Sequence, residues 1–426
     1  MAKNRREFLA SATAAATAAA LSADVSASGF HHGVNDKLKI GLVGCGGRGT
    51  QAVLNALRAD ENTEVIALAD AFMDRIESSH NSLKENELAA NRMNVPKDRM
   101  FDGFECCDKL VQTDVDVVLL ATPPYFRPAH LKACIDAGKH VFCEKPVAVD
   151  PPGVRDVMAA CEVASQKRLS IVSGLCWRYD IGVNAVMDKI LGDNALGEIR
   201  TIQENYLTGT LWHRGNKPEW SQMEYQMRNW LYYNWLSGDH IAEQHIHSLD
   251  KAMWLMGDEP PETAYGSGGR LVRTDEKWGN IYDHFSTVFE WKNGAKMFSF
   301  CRQMADCMND VDDYVIGTKA SAKVLRKEIS DDSGVIWKFG KKKTPSMYDV
   351  EHQHLFRSIR AGEPINDGQY MSYSTLLAIM GREASYTGKK IRWSELMQSE
   401  KRLGPEKLEF GDYAPDKVPM PGGRKF

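Results

Sequence analysis

The stretch KLKIGLVGCGGRGTQAVLNAL, residues 37–57, decides the fold. Leu38 to Val43 has the apolar pattern of a buried strand, and a helical pattern begins at Thr50. Between them Gly44, Gly46 and Gly49 stand as G-x-G-x-x-G. The first glycine permits a tight turn, the second lets backbone approach a pyrophosphate, and the third lets helix and strand pack closely. The phosphates then meet the helix N-terminus, where N–H groups point outward. A lone match would be weak, but this one has the strand before it and the helix after it. Gly44, Cys45, Gly46, Gly47, Arg48 and Gly49 are therefore candidate dinucleotide-binding residues.

The next strand pattern, EVIALAD, ends at Asp70, roughly 20 residues beyond the glycines. A carboxylate there accepts hydrogen bonds from both ribose hydroxyls of an adenosine and repels a 2′-phosphate, which favours NAD over NADP. Strand and helix patterns then alternate: DVDVVLLATPP, RPAHLKACIDAG, KHVFCEKP, GVRDVMAACEVASQK and RLSIVSG. Such alternation predicts an α/β chain with an N-terminal Rossmann, doubly wound parallel sheet. Its ligand crevice lies at the carboxyl ends of the strands. Thr122, Pro123, Glu144, Lys145, Trp177 and Arg178 fall at those ends and join the candidate cofactor-binding set.

AGKHVFCEKPVAVD, residues 137–150, is the most specific stretch in the chain. Together with GLVGCGGRG and ATPP it resembles the Gfo/Idh/MocA family (glucose–fructose oxidoreductase, inositol dehydrogenase and rhizopine catabolism) over roughly residues 37 to 395. The resemblance implies that Lys145 contacts both the substrate hydroxyl and the cofactor, and that Pro146 follows a cis peptide bond. A cation beside the reacting oxygen fits alcohol oxidation, because it lowers the cost of developing alkoxide charge. One position departs from the family. Arg127 stands where a histidine is common, with His130 three residues on, and no role is carried onto either.

The second half changes character. EIRTIQENYL, AYGSGGRLVR, HFSTVFEW and AKMFSFCRQ read as strands of a large, mainly antiparallel open sheet in a C-terminal α+β domain. In the family that sheet also serves association, so the resemblance implies a homo-oligomer. The run LWHRGNKPEWSQMEYQMRNWLYYNW (211–235) carries Trp212, Trp220, Trp230, Tyr232, Tyr233 and Trp235, which suit either a carbohydrate cleft or the core.

SGDHIAEQHIHSLD (237–250) follows. It predicts one helix capped by Asp239 and closing at Gly257, with Glu243 and His247 on one stripe and His240 and His245 pointing away. The histidines lack the i, i+4 pairing of a two-histidine metal site, so no metal is expected. The resemblance aligns this segment with D-x-G-x-H-x-x-D. It implies His247 as general acid/base and Glu243, in place of the aspartate, as a substrate contact; His245 replaces the glycine. Asp250 is expected to support the site.

The expected partition is a leader and arm at 1–36, a cofactor domain at 37–176, a substrate domain at 177–395 and a tail at 396–426. NRREFLA, with Arg5 and Arg6, precedes the alanine-rich ASATAAATAAALSA and a cleavage-like VSAS. This predicts twin-arginine export and a periplasmic or otherwise exported protein. A net charge of −4 gives no bulk field favouring nucleic acid, and no internal apolar run suggests membrane insertion. Nine cysteines without a C-x-x-C pair predict buried thiols rather than a disulfide framework. The composite expectation is an exported enzyme that moves hydride between a secondary hydroxyl of a sugar, cyclitol or derivative and tightly bound NAD. The rival is an NAD-dependent glycoside hydrolase working by transient oxidation and elimination.

Overall fold

The computed structural model describes residues 36–340 and 343–422, and the arginine pair and alanine run read as an export signal lie outside them. β1 (Leu38–Val43), α1 (Gly47–Ala59), β2 (Thr63–Ala69), α2 (Met73–Glu85), β3 (Met100–Phe101), α3 (Cys106–Val111), β4 (Val117–Leu120), α4 (Arg127–Asp136), β5 (His140–Cys143), α5 (Pro151–Gln166) and β6 (Ile171–Ser173) alternate along the chain. The strands form a six-stranded parallel sheet in the order β3-β2-β1-β4-β5-β6. All four residues of β4 are buried, as a strand covered on both faces requires. The order reverses between β1 and β4, which opens a crevice at their carboxyl ends. The start of α5 is legible in sequence: Asp150 accepts from the Gly153 N–H at 2.8 Å, and Pro151 and Pro152 fill the first turn.

The second half contains α6 (Ile181–Met187), β7 (Ile199–Thr208), α7 (Gln222–Arg228), α8 (Asn234–Ser237), α9 (His240–Glu243) and α10 (Ile246–Leu255). β8 (Thr263–Gly269), β9 (His284–Glu290), β10 (Lys296–Gln303), β11 (Asp310–Gly317), β12 (Ser321–Lys323), β13 (Glu328–Asp331) and β14 (Gly334–Lys338) follow. α11 (Met347–Ala361), α12 (Gly368–Thr387), β15 (Ile391–Arg392) and α13 (Trp393–Met397) complete the order. The nine-stranded sheet runs β14-β13-β12-β11-β7-β10-β9-β8-β15 and is antiparallel except for the β7–β10 pair. On β10, Met297, Ser299, Cys301 and Gln303 are buried, whereas Phe298 points outward and is exposed. The buried face packs against α10 and α12.

Three expectations are corrected. The helix predicted from Asp239 to Gly257 breaks at Gln244–His245 into α9 and α10. The Glu243 carbonyl accepts from the Lys145 ammonium, and the His247 N–H bonds the Gln244 carbonyl at 3.3 Å. The partition at residue 177 also fails to hold to the end of the chain. α11 returns to the first sheet, where Leu355, Phe356 and Ile359 share a core with Leu38, Ile40 and Phe142. The expected tail packs on the body between residues 403 and 419: Leu403 is buried, its N–H bonds Asp150 at 2.9 Å, and Tyr282 donates to the Pro419 carbonyl at 2.8 Å. Eight of the nine cysteines are buried as free thiols, and Cys307 is exposed. Among the described residues no helix is long and apolar enough to cross a membrane.

Because α11 completes the first core, Phe356→Ala will cost about 3–5 kcal/mol, the usual loss for deleting a buried phenyl ring. Chemical denaturation of the purified protein measures it.

Candidate active site

The glycine turn fits its reading atom by atom. A Cβ on Gly44, where φ is +101°, would lie 2.5 Å from the Ala121 carbonyl carbon, and one on Gly49 would meet the Gly44 oxygen at 1.9 Å. A Cβ on Gly46 or Gly47 would meet nothing within 4 Å, because both face open space. Gly46 caps α1 with no side-chain hydrogen bond, so the helix offers its first N–H groups to a ligand.

These residues floor a cavity of about 490 Å³. Asp70 lies on its wall, accepting from the Cys45 N–H at 2.7 Å and the Phe72 N–H at 3.1 Å. Burial raises its carboxyl to about 6 despite those two bonds. Thr122 and Pro123 line the same cavity, and the Thr122 hydroxyl bonds His130 Nδ1 at 3.3 Å. His130 is buried, and desolvation lowers it to about 4. An open glycine turn, a free helix N-terminus and an acid at the β2 terminus fit a dinucleotide. They would hold its pyrophosphate and adenosine ribose.

Other members of the expected set take different places. The backbone of Arg48 lies on the turn, but its guanidinium pairs with Glu144 and with Glu351 of α11 at 2.8 Å, and its cation lies 5.1 Å from the Tyr348 ring centre. Glu144 is therefore an internal counter-ion rather than a cofactor contact. Cys45, Lys145, Trp177 and Arg178 do not line the cavity; Lys145 reaches it through Glu243, whereas the side chains of Trp177 and Arg178 are engaged elsewhere. Arg178 reaches Asp250 at 3.0 Å and Asp258 at 2.6 Å and stacks 4.0 Å from the Tyr370 ring centre. Trp177 lies under the Lys251 ammonium, 5.4 Å from its ring centre. Asp250 is thus structural, held by Arg178 and by the Ser374 hydroxyl at 2.8 Å. Arg127 is buried and donates to the Pro146 carbonyl.

The EKP lysine meets the histidine-rich segment. The Lys145–Pro146 peptide is cis, and the Lys145 ammonium lies 3.0 Å from Glu243 Oε1 besides bonding the Glu243 carbonyl. Glu243 lines the cavity. His247 follows beyond the helix break, half-buried, with Nδ1 lacking a partner. Burial, with the nearby cations of Lys145, Lys251 and Arg48, pushes its imidazole well below the ordinary histidine value. The ring is therefore neutral near pH 7.

The other two histidines do point elsewhere. His240 Nδ1 bonds Asp239 at 2.9 Å, and His245 Nε2 bonds Ser299 at 2.6 Å behind Tyr206. No group of three histidine, cysteine or acidic side chains among the described residues could hold a metal ion.

Several lining residues escape motif reading: Phe72, Arg75, Phe104, Arg214, Met227 and Arg228. The aromatic run divides. Trp212 and Trp230 face the cavity, whereas Tyr232, Tyr233 and Trp235 are buried in a separate core cluster.

Gly49→Ala will destabilise the fold by about 1–3 kcal/mol, as overpacking does. Gly46→Ala will leave the melting temperature unchanged and weaken dinucleotide binding about tenfold or more, by titration calorimetry. Dinucleotide affinity will also rise with pH through about 6, because ionised Asp70 accepts from both ribose hydroxyls and protonated Asp70 does not. Asp70→Asn will flatten that dependence and weaken binding at neutral pH about 10- to 100-fold, the worth of a charged hydrogen bond.

Comparison with known proteins agrees with this geometry. Residues 38–172 match the oxidoreductase family model described as an NAD-binding Rossmann fold, and residues 185–323 match the GFO/IDH/MocA C-terminal domain. The chain is 30% identical over 244 residues to 2,7-anhydro-N-acetylneuraminate hydratase of Escherichia coli K12, covering 56% of this chain and 59% of that protein. It is 24% identical over 357 residues to inositol 2-dehydrogenase of Klebsiella pneumoniae strain 342, covering 80% and 91%. Scyllo-inositol dehydrogenase of Lactobacillus casei, solved with NAD(H) and scyllo-inositol, superimposes with a TM-score of 0.64 at 18% identity, covering 84% of this chain and all of that one. Both halves therefore carry the same family signature, and the chain belongs to the Gfo/Idh/MocA family of NAD-binding oxidoreductases.

Proposed function

We propose that the protein oxidises or reduces a secondary hydroxyl of a sugar, cyclitol or related polyol, using a tightly held NAD. The observation that carries this reading is the Lys145–Glu243 pair beside the dinucleotide cavity. Bound NAD supplies the hydride acceptor or donor. The Lys145 ammonium hydrogen-bonds the reacting oxygen and offsets charge as the hydroxyl proton departs. Glu243 accepts from a neighbouring hydroxyl and fixes which carbon faces the nicotinamide. Neutral His247 takes the proton in oxidation and returns it in reduction. The half-buried pair also excludes bulk water from the reacting oxygen.

The export signal read in the leader adds a constraint. Outside the cytoplasm no pool replenishes NAD, so the cofactor stays bound and is recycled by a second substrate. Tyr265, Phe298 and Ile316 are exposed on the nine-stranded sheet and support association of copies through that sheet.

A second reading is an NAD-dependent glycosidase, in which transient oxidation permits elimination and water addition before the hydride returns. Tyr206 supports it. This tyrosine lies at the side of His245, and burial, with the Glu243 charge, raises its hydroxyl to about 12. Protonated at neutral pH beside the Glu243 charge, it is a candidate proton donor to a leaving group by position and not by acidity. The similarity to a hydratase points the same way.

Lys145→Ala and His247→Ala should each lower turnover of polyols by about 100-fold or more, as loss of a general acid/base group does. His247→Ala should keep its NAD through gel filtration. Full activity in either variant removes that residue from the mechanism. Cleavage of aryl glycosides without net NADH would replace the dehydrogenase reading by the hydrolytic one.

A further inference from the structure

The C-terminal segment bears on the cofactor cavity from a direction that its sequence does not announce. Phe72 and Phe104 line the cavity on the Asp70 side, where the ribose contact places the adenosine. The Phe410 ring sits against both, 5.7 Å from Phe72 and 4.6 Å from Phe104 between centres. It is 46% exposed, so it is no core residue. On Phe72 the Arg228 guanidinium lies 4.1 Å from the ring centre. Arg228 also grips Asp74 of α2 through two bonds, at 3.0 and 3.1 Å. The segment is fastened to α7, which carries Arg228: the Gly411 carbonyl accepts from the Met223 N–H at 3.0 Å, and the Tyr413 carbonyl accepts from Gln226. Tyr413 in turn packs edge-on against Trp235 at 5.6 Å. At its start, Gly404 has φ of +94° and lies so close to Tyr125 that a Cβ would come within 2.6 Å of the ring.

We propose that residues 404–414 form part of the cofactor site, with Phe410 as a positioning residue that holds Phe72 and Phe104 against the adenine of the dinucleotide. Release of the adenosine end requires those two rings to part. Arg228 pins Phe72 on one side, and Phe410 joins Phe72 to Phe104. The segment, α7 and α2 thus act as one latch over the adenosine end, and the latch sets how slowly the dinucleotide leaves. This inference rests on NAD binding and is independent of which substrate the site takes.

The test uses the full chain and measures binding rather than turnover. NADH dissociation is followed by fluorescence after mixing with excess NAD. Affinities for ADP-ribose and for nicotinamide mononucleotide are measured by calorimetry. In Phe410→Ala, NADH should leave about tenfold faster, the worth of an aromatic pair. ADP-ribose should weaken by a similar factor, nicotinamide mononucleotide should bind as before, and Phe410→Tyr should restore the slow release. Unchanged NADH release in Phe410→Ala would overturn the proposal. So would an equal loss for nicotinamide mononucleotide, because that would mean general loosening rather than a hold on adenine.

Discussion

One ammonium group links the two halves of the site. Lys145 lies two residues past β5 of the parallel sheet, yet its side chain binds both the carboxylate and the backbone carbonyl of Glu243 in the second half. The carbonyl contact ends α9 early. With the Glu243 carbonyl occupied, the His247 N–H turns to Gln244, and α10 starts afresh. The directions of Glu243 and His247 are thus set by Lys145 and not by continuous helical periodicity. A half-buried ion pair is weak evidence for stability, since desolvation offsets much of the attraction. Its value here is geometric: it fixes a cation and a carboxylate side by side at the edge of the dinucleotide cavity.

Buried charge is handled in the same way elsewhere. Arg48 stitches the glycine turn to Glu144 and Glu351, and Arg178 stitches the segment after β6 to Asp250 and Asp258. Lys251 pairs with Asp313 at 3.2 Å and donates to the His247 carbonyl at 2.7 Å. Glu204 faces Asp313 across the β7–β11 ladder, and burial beside that acid raises its carboxyl far above the usual range, so it is held neutral. Burial, with cations that approach His247 from more than one element, keeps its imidazole unprotonated.

The sequence made much of this legible, for identifiable reasons. The Rossmann half follows from strand and helix periods that local chemistry reinforces, such as the Asp150 cap and the glycine spacing. Asp70 and Glu243 were placed by motif, and both line the cavity. The failures share a cause, which is tertiary contact overriding local pattern. Nothing near residue 244 signals a helix break, because Lys145 imposes it from about a hundred positions away. Trp177 and Arg178 follow the last parallel strand, where a ligand contact is the natural expectation, but acids from α10 and the turn after it claim the guanidinium. Phe104, Arg228 and Phe410 belong to no motif, since loops and the C-terminal segment bring them to the cavity and its rim.

The central claim is that Lys145 and Glu243 act as a unit on the substrate. A double-mutant cycle on single-turnover polyol oxidation, with Lys145→Met, Glu243→Gln and the double variant, tests it most directly. If the pair acts as a unit, the double variant loses scarcely more rate than the worse single variant. Losses that simply multiply would show that the two residues act independently and would contradict the account.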